Sequence, residues 1–183
     1  AIPIAVLSAM RESSGRHISV KGGRFLEAVA KADTIVFDKT GTLTNAAPTV
    51  AKVVPFGGQN EAEMLRLAAC LEEHYPHSMA NAVVAEAKRR GLTHEEYHSQ
   101  VQYVVAHGIS SMVEEKKVII GSAHFVFEDE GCRIPAGEQE KYDELPAAYS
   151  HLYLCIDGKL AAVICIHDPL RREARDTVKA LHD

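Results

Sequence analysis

The chain has no block of basic residues able to track a phosphate backbone, and its 20 lysines and arginines are outnumbered by 25 acidic residues, giving a formal charge of -5. Nucleic acid is therefore not an expected partner. Its four cysteines, Cys70, Cys132, Cys155 and Cys165, form no CxxC pair, and no segment has the pattern of a secretory signal. Both absences point to a reduced, cytosolic setting in which the thiols serve as small core residues. No window reaches the roughly 18 to 20 apolar residues that span a bilayer. Internal repeats and low-complexity tracts are lacking as well. What is present is an ordinary globular composition, 183 residues with 46% hydrophobic and 25% charged, sufficient for one domain or two small ones with a real core.

Ala1 to Met10 are strongly apolar and lead into polar Arg11 to Gly15. Hydropathy alone leaves them either an amphipathic or core segment or the cut end of a membrane helix. After Gly22-Gly23, Phe25 to Ala30 fits a short helix, and Thr34-Ile35-Val36-Phe37 reads as a strand buried on both faces, as in a parallel sheet. Beyond Pro48, Val50 to Val54 is strand-like. Asn60 with Glu63 makes a capping-box start for a helix carrying Met64, Ala68 and Leu71 on one face. A second helix is expected from Ser78 to Arg90, with Val83, Val84 and Ala87 inward and Gly91 as its stop, so the pair forms a helical hairpin through Glu73 to His77.

Strand alternation follows: Val101, Tyr103 and Val105, then Ile109 to Val113, then Val118 to Ile120 after a charged Glu114 to Lys117 turn. Ser122 is placed to cap a short helix, and Cys132 to Ser150 reads as an exposed excursion. Asp157-Gly158 between two apolar runs is the strongest hairpin signal, and Asp168-Pro169 is expected to open a helix running toward Leu181. The pattern is that of one domain inserted into another.

The segment Asp38-Lys39-Thr40-Gly41-Thr42-Leu43-Thr44 stands at the carboxyl end of the 34–37 run, where α/β folds keep their chemistry. Over all seven positions it resembles the signature of P-type ATPases, within the wider haloacid-dehalogenase-like group. The resemblance implies that Asp38 attacks the γ-phosphate of ATP and that Mg²⁺ is held by Asp38 and the backbone carbonyl of Thr40. A carboxylate forms a high-energy acyl phosphate, while Mg²⁺ and Lys39 neutralise charge on the transferring group. Gly41 permits a tight turn that exposes amides to phosphate. Soluble phosphatases of the wider group place a second Asp two residues after the nucleophile as acid/base, and here that place is Thr40. The phosphoenzyme should then resist water, as a pump requires.

The middle of the chain resembles the nucleotide-binding domain of the heavy-metal-translocating branch, whose marks are Ser-Glu-His-Pro and a Gly-x-Gly loop. His77-Ser78-Met79-Ala80 keeps the histidine, with Ser78 in place of proline and Pro76 in place of glutamate. Glu72, five residues earlier, fits the acid that contacts adenine in the family, and Ala106-His107-Gly108 keeps only the last glycine. From the residues alone, His77 remains open between an adenine contact and an inter-helix turn, and Gly108 between close approach to nucleotide and a strand-end turn. Val118 to Ser122 resembles the next family strand, with Ser122 in place of Asn. Asp168-Pro169-Leu170-Arg171 resembles the Asp-Pro-Pro-Arg motif at the return into the phosphorylation domain, Asp168 capping a helix and Arg171 reaching toward nucleotide or phosphate.

Lys21-Gly22-Gly23 and Leu26-Glu27 also match the segment between the fourth membrane helix and the phosphorylation loop, so the resemblance covers nearly the whole chain. It implies the end of that helix and a linker over 1–23 and the first part of a haloacid-dehalogenase-like α/β phosphorylation domain over 24–45. An inserted α+β nucleotide-binding domain of antiparallel sheet plus helical hairpin follows over 46–160, with the return over 161–183. The family's downstream Thr-Gly-Asp segment and its Gly-Asp-Gly-x-Asn-Asp loop, whose Asp completes the Mg²⁺ site, do not occur. The expectation is part of a longer, membrane-embedded pump on the cytosolic face, able to bind ATP but not to turn over, with the transported cation handled by membrane helices. The alternatives are a soluble haloacid-dehalogenase-like phosphatase and a nucleotide-binding module without catalysis. His94-Glu95-Glu96-Tyr97-His98 fits the zinc-protease pattern HExxH. Such a site needs several helical turns around it, however, and Gly91 with the strand alternation from Val101 argues for a solvated loop. His74 and His77 likewise lack a thiol or carboxylate at matching spacing for a metal and are expected in a turn.

Overall fold

The computed structural model describes residues 3–92, 102–104 and 108–182, in two compact units, Ala1–Phe37 and Asp38–Asp183. The first unit holds helices α1 (Ile4–Gly15) and α2 (Gly23–Ala30). Neither buries a residue, and Ile4 and Leu7 of α1 are exposed. No helix among the described residues is long and apolar enough to cross a membrane. The strand expected at 34–37 is not formed. Residues 34–38 carry no regular secondary structure, with Ile35 51% and Val36 90% exposed. A strand buried on both faces needs neighbours on both edges, and every named strand belongs to a different, antiparallel sheet.

That sheet is the frame of the second unit. Its strands are β1 (Thr49–Pro55), β2 (Gln102–Val104), β3 (Gly108–Val113), β4 (Lys116–Gly121), β5 (Ser150–Ile156) and β6 (Lys159–His167), in spatial order β1-β6-β5-β4-β3-β2. All five pairings are antiparallel. The tight connections have the chemistry of their twist: Asp157 and Gly158 both take positive φ (48° and 73°), as do Glu114 and Glu115 (47° and 66°). Two left-handed residues in a row are what a type I′ hairpin turn demands. Asp157 Oδ1 also accepts from the Lys117 amide at 2.9 Å, tying one hairpin to the other.

Helices α3 (Glu61–Glu72) and α4 (Ser78–Arg89) form the expected hairpin. Asn60 caps α3, its side-chain oxygen accepting from the amides of Ala62 and Glu63 at 2.9 and 3.1 Å. At the other end of the pair, Gly91 N–H donates to Lys88 O and Leu92 N–H to Ala87 O, the bond pair of a Schellman stop. Leu65, Ala68, Leu71, Val83 and Ala87 pack onto Val53, Ile109, Val118, Ile120, Leu154 and Ile164 of the sheet. The residues between them in sequence, Val54, Ile119, Tyr153, Cys155, Val163 and Cys165, face the opposite side and meet Phe125, Val126 and Cys132. Burial on both faces explains why β6 is buried without interruption from Leu160 to Ile166. Each fully buried Leu, Ile or Phe contributes about 1.5–3 kcal/mol.

The second face corrects the reading of Cys132 to Ser150 as an exposed excursion. Ile134, Tyr142, Leu145 and Tyr149 pack against that face, with a short helix α5 (Gln139–Asp143) between them. Its Pro, Gly and Glu content hid a spaced set of apolar anchors. The helix expected from Asp168-Pro169 is also corrected: α6 runs Ala174–His182, and residues 168–171 are taken up in contacts described below. The His94 to His98 pattern and Ala106-His107 lie outside the described residues.

Candidate functional site

Two clusters gather the residues singled out by sequence. The first is the 38–44 loop. Asp38 is exposed, and the chain then turns through Thr40 (φ -78°, ψ 119°) and Gly41 (φ 82°, ψ -13°). These are the angles of a type II turn, whose third position requires positive φ and therefore favours glycine. The turn is closed from inside by Thr44, which is 1% exposed. Its amide donates to Lys39 O at 3.0 Å, and its Oγ1 accepts from the Gly41 amide at 3.1 Å. The Gly41 amide thus points inward to Thr44.

The Thr44 hydroxyl has one proton and two acceptors in reach, Asp168 Oδ2 at 2.7 Å and Lys39 O at 3.2 Å. The shorter, charge-assisted bond to the carboxylate takes it. Asp168 is therefore a partner of the loop and not the cap of a helix. Arg171 completes the grip: its amide donates to Leu43 O at 2.8 Å, its Nε to Thr44 O at 3.1 Å and its Nη2 to Gly41 O at 3.0 Å. Asn45 N–H donates to Pro169 O, and Thr44 bridges Leu170 in antiparallel sense. Residues 44–45 and 168–171 thereby prolong the β1–β6 pairing, which ends at Thr49 opposite His167. Lys39 reaches away, its Nζ donating to Ser150 Oγ at 3.1 Å in an exposed bond that solvent can readily replace. Sequence reading named Asp38, Lys39, Thr40, Asp168 and Arg171 but missed Thr44 as their link. The signal available was a hydroxyl beside apolar Leu43, which, if buried, must find a partner.

The second cluster is the end of the helical hairpin. Glu72 is 2% exposed at the last turn of α3, and His77 is the N-cap of α4. His77 Nδ1 accepts from the Ala80 amide at 3.2 Å, so in the neutral ring the proton sits on Nε2. That nitrogen lies 3.3 Å from Glu72 Oε2, within ion-pair range but outside hydrogen-bond geometry, and Oε2 is left buried without a hydrogen-bond partner. Burial pushes the Glu72 carboxyl up to about 7 and the His77 imidazole down from its usual value. Near neutral pH the Glu72 carboxyl is thus partly protonated beside an imidazole whose charged form burial disfavours.

Gly108 is set apart by packing. A Cβ there would lie 2.4 Å from Phe125 Cδ1 and 2.5 Å from Ile120 O. The absence of a side chain lets the Phe125 ring close against β3.

Residues 32–183 match the haloacid dehalogenase-like hydrolase family. The chain is 31% identical over 188 residues to a probable copper-exporting P-type ATPase V of Mycobacterium tuberculosis, aligning 100% of this chain with 24% of that protein. It superposes with a TM-score of 0.60 and 28% identity on a zinc-transporting PIB-type ATPase in its E2.Pi state, covering 97% of this chain and 28% of that one. With the N-domain of HMA6, a copper-transporting P-type ATPase, the TM-score is 0.52 at 25% identity, over 66% of this chain and 99% of that one. The chain spans about a quarter of the length of the curated relatives it matches. Along its whole length the chain is similar to a stretch of the metal-transporting P-type ATPases, and it belongs to the haloacid dehalogenase-like hydrolases.

Proposed function

We propose that this chain is the ATP-binding and phosphorylation region of a heavy-metal cation pump, with Asp38 as the residue that takes the γ-phosphoryl group. The observation that carries the proposal is the exposed Asp38 carboxylate at the mouth of a turn whose carbonyls are gripped by Arg171 and whose hydroxyl Thr44 is bonded to Asp168. A nucleophile must be free while its backbone is held, and this loop has both properties. The position two residues on is Thr40 and not a second carboxylate, so that position supplies no acid/base for hydrolysis of an acyl phosphate. That favours a lasting intermediate over a soluble phosphatase.

Mg²⁺ fits the donors at hand. Asp38 offers a carboxylate and Thr40 a carbonyl that the Arg171 grip does not use, both hard oxygens. Magnesium takes one or two protein oxygens beside substrate phosphates, and no cluster of three or more His, Cys, Asp or Glu forms a rival site among the described residues. When bound, the ion supplies charge neutralisation on the transferring group. Lys39 adds to it on leaving Ser150. Adenine is assigned to Glu72 and His77: a buried carboxyl oxygen without a hydrogen-bond partner accepts from an exocyclic amine and, when protonated, donates to a ring nitrogen. Gly108 keeps the neighbouring strand low by admitting Phe125, so its part in binding would be indirect. The domain assignment is likewise proposed: the end of the fourth membrane helix and a linker over 1–23, phosphorylation-domain segments over 24–45 and 161–183, nucleotide domain over 46–160. The transported cation and the membrane location belong to the longer pump, with this region on its cytosolic face.

Titrating the chain with ATP, ADP and AMP tests the nucleotide half of the proposal. Amide shifts at His77 and its neighbours that move with all three would support adenine binding there, and unmoved shifts at saturating ATP would refute it.

A further inference from the structure

We infer that Thr44 is a positioning residue for phosphoryl transfer, acting as the joint through which the segment 168–171 sets the conformation of the Asp38 loop. This rests on the reading of Asp38 as the phosphorylated residue.

The argument begins with connectivity. The loop leaves toward β1 through residues 44–48, and β6 returns through residues 168–171; the two strands pair, Thr49 opposite His167. The paired stretch beyond them is the double-stranded link between the sheet and the loop, with Thr44 bridging Leu170 and Asn45 N–H bonded to Pro169 O. Any rotation of the sheet relative to the loop has to pass through these few residues, the place where hinge motions are absorbed.

Thr44 sits at the crossing of that link and the turn. Its hydroxyl oxygen holds the Gly41 amide at 3.1 Å, its proton goes to Asp168 at 2.7 Å, and its carbonyl accepts from Arg171 Nε at 3.1 Å. A hydroxyl that donates to a carboxylate becomes a better acceptor for the amide behind it, so the two bonds reinforce one another. The second Asp168 oxygen, Oδ1, is buried without a partner, so the Thr44 bond carries much of the compensation for burying that carboxylate. A change at Asp168 is therefore relayed by one oxygen atom to Gly41, three residues from Asp38. Without these bonds the Gly41 amide is no longer held, and the turn that aims Asp38 loosens.

Valine matches threonine in shape and lacks the hydroxyl, which makes Thr44→Val the informative change. In the full pump that carries this chain, Thr44→Val is expected to slow phosphorylation of Asp38 by ATP about 10- to 100-fold, the scale of a misplacement near 1 Å. Affinity for nucleotide should stay within about twofold, because the residues assigned to adenine lie elsewhere. Thr44→Ser restores the hydroxyl and should restore the rate; Asp168→Asn, still an acceptor but uncharged, should fall between. Exchange of the Gly41 amide, followed in the same proteins, should accelerate at least tenfold in Thr44→Val and return to the wild-type rate in Thr44→Ser.

A Thr44→Val protein that labels at the wild-type rate, or whose Gly41 amide exchanges as in wild type, would overturn the inference. So would parallel loss of labelling and nucleotide affinity in Thr44→Val that Thr44→Ser fails to rescue, since that is the signature of a merely structural residue. Failure of the wild-type pump to label at Asp38 would instead refute the underlying reading, and the Gly41 exchange arm still decides the coupling.

Discussion

Replacing Glu72 by glutamine should flatten the pH dependence of stability in a way that can be worked out from burial alone. The Glu72 carboxyl is 2% exposed, and desolvation raises it from 4.5 to about 7. A raised carboxylate binds its proton more tightly in the folded state than in the unfolded one. Its contribution to stability is thus fully present below about pH 4.5, falls as pH rises, and is gone once pH exceeds the folded value near 7. The full swing is ~3 kcal/mol, with about 2 to 3 kcal/mol of it falling between pH 5 and 8. His77 acts in the opposite sense: burial lowers it, so its contribution is present above its unfolded value and lost as pH falls. Both proteins keep His77, and the comparison largely removes it. Glu72→Gln also buries an amide at a site lacking a hydrogen-bond partner, an offset of about 1–3 kcal/mol that does not depend on pH. The readout is therefore the slope. In urea unfolding at intervals from pH 5 to 8, wild type should lose about 2 to 3 kcal/mol more than Glu72→Gln. Parallel curves for the two proteins would refute the claim that burial raises this carboxyl.

Two further substitutions probe the frame that holds the sites. Gly108→Ala places a methyl group 2.4 Å from Phe125 Cδ1; it should destabilise the chain by about 1–3 kcal/mol, read as a lowered thermal midpoint, and adding Phe125→Leu should recover part of that loss. Asn60→Ala removes the side chain that accepts from two amides at the start of α3; denaturant unfolding should show a loss of about 1 kcal/mol, with nucleotide affinity unchanged.

What the sequence made legible was local. Asn60 and Gly91 announce the ends of the helical hairpin because caps act within a few residues, and Asp157-Gly158 announces its hairpin because the turn chemistry is self-contained. The Asp38 heptad is equally local, and the match of residues 32–183 to the haloacid dehalogenase-like hydrolases agrees with the wider group it resembles. What failed was everything that depends on distant partners. Thr34 to Phe37 has the β-branched composition of a buried strand, yet composition cannot provide the neighbouring strands such a segment needs. Asp168-Pro169 has the local grammar of a helix start, but Thr44, 124 residues away in sequence, claims the carboxylate, and Arg171 is drawn to Gly41 over a separation of 130. Gly108 could be read only as a nucleotide contact or a strand-end turn, because the ring of Phe125 that packs against it is not adjacent in sequence.

The most direct test of the account is covalent. The full-length protein carrying this chain, if it is the proposed pump, incubated with radiolabelled ATP, Mg²⁺ and copper(I) or zinc, should acquire an acid-stable, hydroxylamine-sensitive label on the peptide containing Asp38, and Asp38→Asn should acquire none. Label on another residue, or equal labelling of Asp38→Asn, would contradict it.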